Sequence, residues 1–366
     1  MMSTPMNMAK RVNLALQGGG AHGAFTWGVL DRLLEDGRID IEGICGTSAG
    51  ALNATVLAYG HMRGGNDGAR EALHSFWRAV SDISMITSSV RRLHWPMFPF
   101  VGWHIHDTLI FNWFETMTRF VSPYQFNPLN VNPLRQILER CVDFESLRRN
   151  GDIKLFVSAT NVRTGGVRVF HPHELTLDAV MASTCLPFVF QAVAVDGEYY
   201  WDGGYTGNPP LFPLCYHTES RDVIVAHINP IVRDELPTDA SDIMNRINEI
   251  SFNSSLLREF RVMAFVNRLI EEGWLKDEYT GRLKQIFVHS IRADQALAEA
   301  SVASKFNLEW SFLTALRDRG RVTAAAWLKQ HFASVNCRST VDLRAEFLDR
   351  HTLFWENSHE EKGDDT

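Results

Sequence analysis

Val12-Asn13-Leu14-Ala15-Leu16-Gln17-Gly18-Gly19-Gly20-Ala21-His22-Gly23 is an apolar run that ends in a glycine turn. A second run, Ile41-Glu42-Gly43-Ile44-Cys45, leads into Gly46-Thr47-Ser48-Ala49-Gly50. Each turn sits where a strand ends and a helix begins, which predicts two successive β–α units and a mostly parallel sheet covered by helices. Both turns then open on the same edge of that sheet. Ser48 between glycines at such a turn has the setting of a nucleophile, and the neighbouring glycine loop offers backbone N–H groups to an oxyanion. Together they point to acyl transfer.

Outward from these turns, Ala24, Trp27, Val29, Leu30, Leu33 and Leu34 are spaced as the buried stripe of a first helix, stopped at Asp36-Gly37. A second helix is expected from Ser48 to Gly60. Further strands are expected at Lys154–Thr160, Val167–Phe170, Asp222–Ile228 and Gln285–Ile291, with a turn at Thr164-Gly165-Gly166 between the first two. From Ile231 onward the pattern is mainly helical, and no internal repeat is visible. Between Trp95 and Phe126 ten aromatic residues fall within 32 positions, interrupted by Pro96, Pro99 and Pro123. That stretch reads either as core or, beside Arg91, Arg92 and His94, as a lipid-facing cap.

The 366 residues suffice for one large domain with an extension. A net charge of −7 argues against a nucleic-acid surface. Cys45, Cys141, Cys185, Cys215 and Cys337 are scattered without CxxC spacing, which argues against a disulfide framework or a zinc site and favours a reducing compartment. No apolar signal segment precedes Val12 and no apolar run is long enough to span a bilayer. A cytoplasmic protein is therefore expected, with peripheral membrane contact as the alternative.

The first turn also fits Gly-x-Gly-x-x-Gly, a dinucleotide fingerprint, but that use wants an acid at the end of the second strand. Asp40 and Glu42 fall at its start, and Gly46-Thr47-Ser48 occupies the end. On its own motif Ser48 reads first as a nucleophile, with a helix N-cap as the alternative. A third motif is Tyr199-Tyr200-Trp201-Asp202-Gly203-Gly204, followed by Asn208-Pro209-Pro210; in isolation Asp-Gly-Gly reads as a turn.

Taken in order, the three motifs resemble those of the patatin-like phospholipase family, over roughly Val12 to Pro213 and including Ala182-Ser183-Thr184-Cys185-Leu186-Pro187. The resemblance implies Ser48 as nucleophile, Asp202 as proton acceptor, and Gly18, Gly19 and Gly20 as the oxyanion loop, with Gly23, Gly46, Gly50, Gly203 and Gly204 supporting the motifs. Where many relatives carry Lys or Arg, this chain has His22. The fold implied is a three-layer α/β/α core at residues 10–215. A mostly helical extension, 216–352, and a disordered acidic tail, 353–366, are expected to follow. The implied activity is cleavage of lipid carboxylic esters of the phospholipase A or lysophospholipase type, without metal or cofactor. A thioesterase or small-ester esterase with the same pair of residues, and a silent lipid-binding module, are the alternatives.

Overall fold

The computed structural model describes residues 9–94 and 121–348, apart from 234, 281, 298, 299, 301 and 302. The tail expected at 353–366 and most of the aromatic stretch lie outside these residues, as do the side chains of Arg91, Arg92 and His94. Of that stretch Tyr124 and Phe126 are described, and both are exposed.

Among the described residues eight strands form one sheet in the order β5-β6-β3-β2-β1-β7-β8, with β4 also pairing to β3. The strands are β1 (Lys10–Leu16), β2 (Ile39–Thr47), β3 (Lys154–Asn161), β4 (Val167–Phe170), β5 (Val193–Val195), β6 (Glu198–Asp202), β7 (Asp222–His227) and β8 (Phe287–Arg292). β1 runs parallel to β2 and β7, β2 to β3, and β7 to β8; β4 and β6 run antiparallel to β3, and β5 to β6. The sheet is mixed but mostly parallel, flanked by helices, in agreement with the sequence expectation. Residues beyond 215 contribute two of its strands, β7 and β8.

The parallel strands are apolar on both faces because helices cover both faces. Val12, Leu14 and Leu16 of β1 face one core, with Ile224 and Ala226 of β7. Ala15, Val223 and Val225 face the other, with Leu256 and Phe260. The alternation follows from the two-residue period of a strand.

Helix α1 (Gly23–Asp36) ends as expected, with Gly37 left-handed at φ 72°. Helix α2 (Ala49–His94) runs far past Gly60, broken at Gly64–Gly65 where the backbone leaves helical geometry. The stretch between the two halves, His61-Met62-Arg63-Gly64-Gly65-Asn66-Asp67-Gly68, is polar and glycine-rich and reads as a loop, so the sequence gives little sign of the continuation. Then come α3 (Pro133–Cys141), α4 (Phe144–Asn150), α5 (Leu177–Ser183), α6 (Phe212–His217), α7 (Ala240–Glu271) and α8 (Trp310–His331). Helix α8 presses against α1 at backbone distance. A Cβ on Gly28 would fall 1.9 Å from the Arg317 carbonyl oxygen, and one on Gly320 2.1 Å from that of Phe25. Among the described residues no helix is long and apolar enough to cross a membrane.

Glu42 has a structural task. Its buried carboxylate accepts the N–H groups of Glu219 and Ser220, both at 2.8 Å, and the Lys154 ammonium at 3.0 Å. It ties the start of β2 to the turn before β7, at the end of the strands away from the glycine loop.

Candidate active site

Ser48 stands between the last residue of β2 and the first of α2, with φ at +54°. An N-cap residue is extended, so this backbone is the sharp strand-to-helix elbow and not a simple cap. Its glycine neighbours are required by space. A Cβ on Gly46 would lie 2.6 Å from the Gly50 carbonyl oxygen, and one on Gly50 2.1 Å from that of Leu16. Ser48 N–H donates to Ser183 Oγ at 2.9 Å, which gives the Ala182-Ser183-Thr184 segment a role in holding the elbow. One residue earlier, Thr47 Oγ1 donates to the Gly207 carbonyl at 2.7 Å and meets Ser158 Oγ at 2.5 Å.

Asp202 ends β6 and is fully buried. Cys185 accepts its N–H at 2.8 Å, and its own carbonyl accepts Thr160 Oγ1 at 2.8 Å. Its Oδ1 accepts Gly204 N–H at 2.7 Å. Its Oδ2 is buried and makes no hydrogen bond among the described residues. Burial pushes the carboxyl up to about 6, partly offset by the Ser48 side chain, the Gly204 N–H and the Lys305 ammonium. The fold thus brings Ser48 and Asp202 together, with the hydroxyl near enough to favour the charged carboxylate. None of the hydrogen bonds made by the described histidines reaches either residue; their side-chain partners are Ser304, Asp152, Asp222 and Thr340.

The glycine loop departs from expectation at one position. Gly18 N–H is already engaged, donating to Asn208 Oδ1 at 2.6 Å. Among the described residues no acceptor takes the N–H of Gly19 or Gly20. Gly18 instead makes room: a Cβ there would sit 2.6 Å from Ser48 Cβ. The pair Gly19 and Gly20 is therefore what the loop can offer to an oxyanion.

Several polar residues that no sequence motif marks hold this loop. Gln17 Oε1 accepts the N–H groups of Ile228 (2.9 Å) and Asn229 (3.1 Å), and its Nε2 donates to Asn253 Oδ1 at 3.0 Å. Asn229 Nδ2 donates to the Gly18 carbonyl at 2.9 Å. His22 is buried, with Nε2 2.7 Å from Ser304 Oγ, and burial pushes its pKa down to about 3, with the Lys305 charge adding to the effect. His22 is neutral at physiological pH and does not supply the charge that Lys or Arg would.

No group of three or more His, Cys, Asp or Glu side chains among the described residues is arranged to hold a metal ion.

The model of the patatin-like phospholipase family matches residues 14–214 of this chain. An uncharacterized protein of Acanthamoeba polyphaga mimivirus is 27% identical over 227 residues, which cover 57% of this chain. The matched part spans 64% of the length of that viral relative. Among solved structures, the chain is similar to VipD from Legionella pneumophila, with a TM-score of 0.41 and 15% identity, over 96% of this chain and 76% of that one. It is also similar, with a TM-score of 0.30 and 18% identity, to a chain of the heterodimeric ExoU–SpcU complex from the type III secretion system of Pseudomonas aeruginosa. That likeness covers 97% of this chain and 78% of the other.

Proposed function

The chain belongs to the patatin-like phospholipase family, and from that premise we propose that it is a serine acyl hydrolase in which Ser48 and Asp202 cleave the carboxylic esters of lipids. Asp202, ionised above its pKa of about 6, takes the hydroxyl proton as Ser48 Oγ attacks the ester carbonyl carbon. The N–H groups of Gly19 and Gly20, with the amino-terminal end of α2, receive the oxyanion. Collapse of the tetrahedral intermediate breaks the ester C–O bond, and Asp202 returns the proton to the departing alcohol. Water then attacks the acyl-enzyme with Asp202 again as base, releasing the fatty acid and restoring Ser48.

The observation that carries this reading is the unspent Oδ2 of a fully buried carboxylate beside a serine held at positive φ. An ordinary aspartate carboxyl titrates near pH 4, so its carboxylate is a weak base; burial raises its basicity to a value useful at neutral pH. The test is labelling with a fluorophosphonate followed by peptide mapping, then turnover of matched oxygen esters, thioesters and phospholipids. Labelling at Ser48 with turnover of glycerophospholipids supports the reading. Labelling with turnover of thioesters alone points to the thioesterase alternative, and no labelling at Ser48 refutes the nucleophile.

A further inference from the structure

The glycine loop is braced from a part of the chain beyond the family match. Asn229 follows β7, Asn248 lies on α7, and Lys305 sits in a short 3-10 turn, Ala303–Phe306. The Lys305 ammonium donates to Asn229 Oδ1 at 3.1 Å and to Asn248 Oδ1 at 2.8 Å. Asn229 hands the contact on through Nδ2 to the Gly18 carbonyl.

Chemistry fixes the direction of this relay. An ammonium can only donate, so Asn229 must turn its oxygen to Lys305 and its NH2 to Gly18. In a trans peptide the C=O and N–H point to opposite sides. Holding the Gly18 carbonyl toward Asn229 therefore turns the Gly19 N–H away from it. Three consecutive glycines have little conformational preference of their own, so an external brace decides this orientation. The Lys305 backbone reinforces it: a Cβ on Gly20, at φ 58°, would meet the Lys305 carbonyl oxygen at 2.4 Å.

Lys305 also brings charge to the site. Its ammonium lies 5.2 Å from the centroid of the Phe252 ring, and that ring packs against Gly204 beside Asp202. Among the described residues the groups facing Lys305 are Asp202 of β6, Glu249 of α7, which also pairs with Arg233 and Arg246, and His22, which is neutral. Burial lowers the Lys305 pKa to about 8, so it remains largely protonated at pH 7.

Resting on the Ser48–Asp202 reading, we propose that Lys305 is a positioning residue for ester hydrolysis. Through Asn229 it holds the Gly18–Gly19 peptide so that the Gly19 N–H meets the oxyanion, and it supplies the positive charge that His22 does not.

The experiment compares wild type with Lys305→Met, Lys305→Arg, Asn229→Ala and the Lys305→Met/Asn229→Ala double variant on a short soluble ester. It reads kcat, KM, thermal midpoint and the pH profile. Lys305→Met should lower kcat about 10- to 100-fold with KM little changed, somewhat less than the loss of a whole oxyanion donor. It should also move the acidic limb of the profile to higher pH, because the Lys305 charge lowers the Asp202 pKa. Asn229→Ala should lower kcat and leave the limb in place. The double variant should be no slower than about twofold below the worse single, as expected when two residues act in one relay. Lys305→Arg should keep the limb at its wild-type position. A folded Lys305→Met or Asn229→Ala variant with wild-type kcat overturns the proposal, and so do losses that multiply in the double variant. A fall in thermal midpoint with an unmoved limb overturns it too. Should Lys305→Met not fold, Asn229→Ala carries the decision. Wild type that is active and labelled at Ser48 isolates such a failure to Lys305; inactive, unlabelled wild type sinks the Ser48–Asp202 reading as well.

Discussion

Replacing Asp202 with Asn should make the protein more stable and abolish its hydrolytic activity. Burial holds this carboxyl at about 6, against an ordinary 3.8. At 1.36 kcal/mol per pH unit, the ionised form costs about 3 kcal/mol of folding stability. The sign follows from the direction of the shift. A carboxyl raised in the fold contributes stability that is fully present below pH 3.8 and is lost as pH rises through about 6. Asparagine pays no such cost at any pH. Its carbonyl can keep the Gly204 N–H bond of 2.7 Å, and its NH2, in the place of Oδ2, can donate to Ser48 Oγ. Urea unfolding of the two proteins at pH 8 and pH 4 measures the difference. The variant should be about 3 kcal/mol more stable at pH 8, with a thermal midpoint several degrees higher, and close to wild type at pH 4. Its kcat/KM should fall at least 1,000-fold. A variant equally or less stable at pH 8, or one whose advantage is the same at both pH values, would refute the electrostatic argument. A variant that still turns over would refute the base.

Ser48→Ala should lose ester hydrolysis and probe labelling while keeping its circular dichroism spectrum; a tenth of the wild-type rate would remove Ser48 from the mechanism. The kcat/KM of the wild type should rise with pH through an apparent pKa of about 6 as Asp202 ionises, whereas a flat profile from pH 5 to 8 would contradict the assignment. Gly320→Ala places a Cβ 2.1 Å from the Phe25 carbonyl oxygen and should cost about 1–3 kcal/mol in urea unfolding. Since that contact lies between α1 and α8, kcat of the folded variant should stay near wild type.

The opening β–α–β–α of the fold is legible in the sequence because strand apolarity, glycine turns and helix stripes agree there. β3, β4, β7 and β8 fall close to their expected positions for the same reason: each is a bounded apolar run. The β5–β6 hairpin is less plain, since each strand is short and the Asp-Gly-Gly that ends β6 resembles a loop. Its turn nonetheless carries a signal, Asp196-Gly197, with both residues at positive φ as a tight hairpin requires. At the site, Ser48 and Asp202 are marked by glycines that the backbone itself needs. The brace is not marked. Gln17, Asn229, Asn253 and Lys305 are single polar residues spread over most of the chain, and only the folded sheet brings them to one loop. The engaged N–H of Gly18 is likewise invisible, because its partner Asn208 lies 190 positions away.

The place of β1 in the sheet also governs how this chain must fold. β1 comes first in sequence yet lies in the interior, with Asn13 and Leu14 paired on one side to Gly43 and Ile44 and on the other to Val223 and Ile224. Its second side stays open until β7 emerges from the ribosome, so the nascent chain exposes a row of unpaired peptide groups on an apolar strand. Closing it is a contact of long sequence separation, which is slow to form. The family-matched segment made alone, without β7, would keep that ladder open permanently and should associate through it rather than stay monomeric.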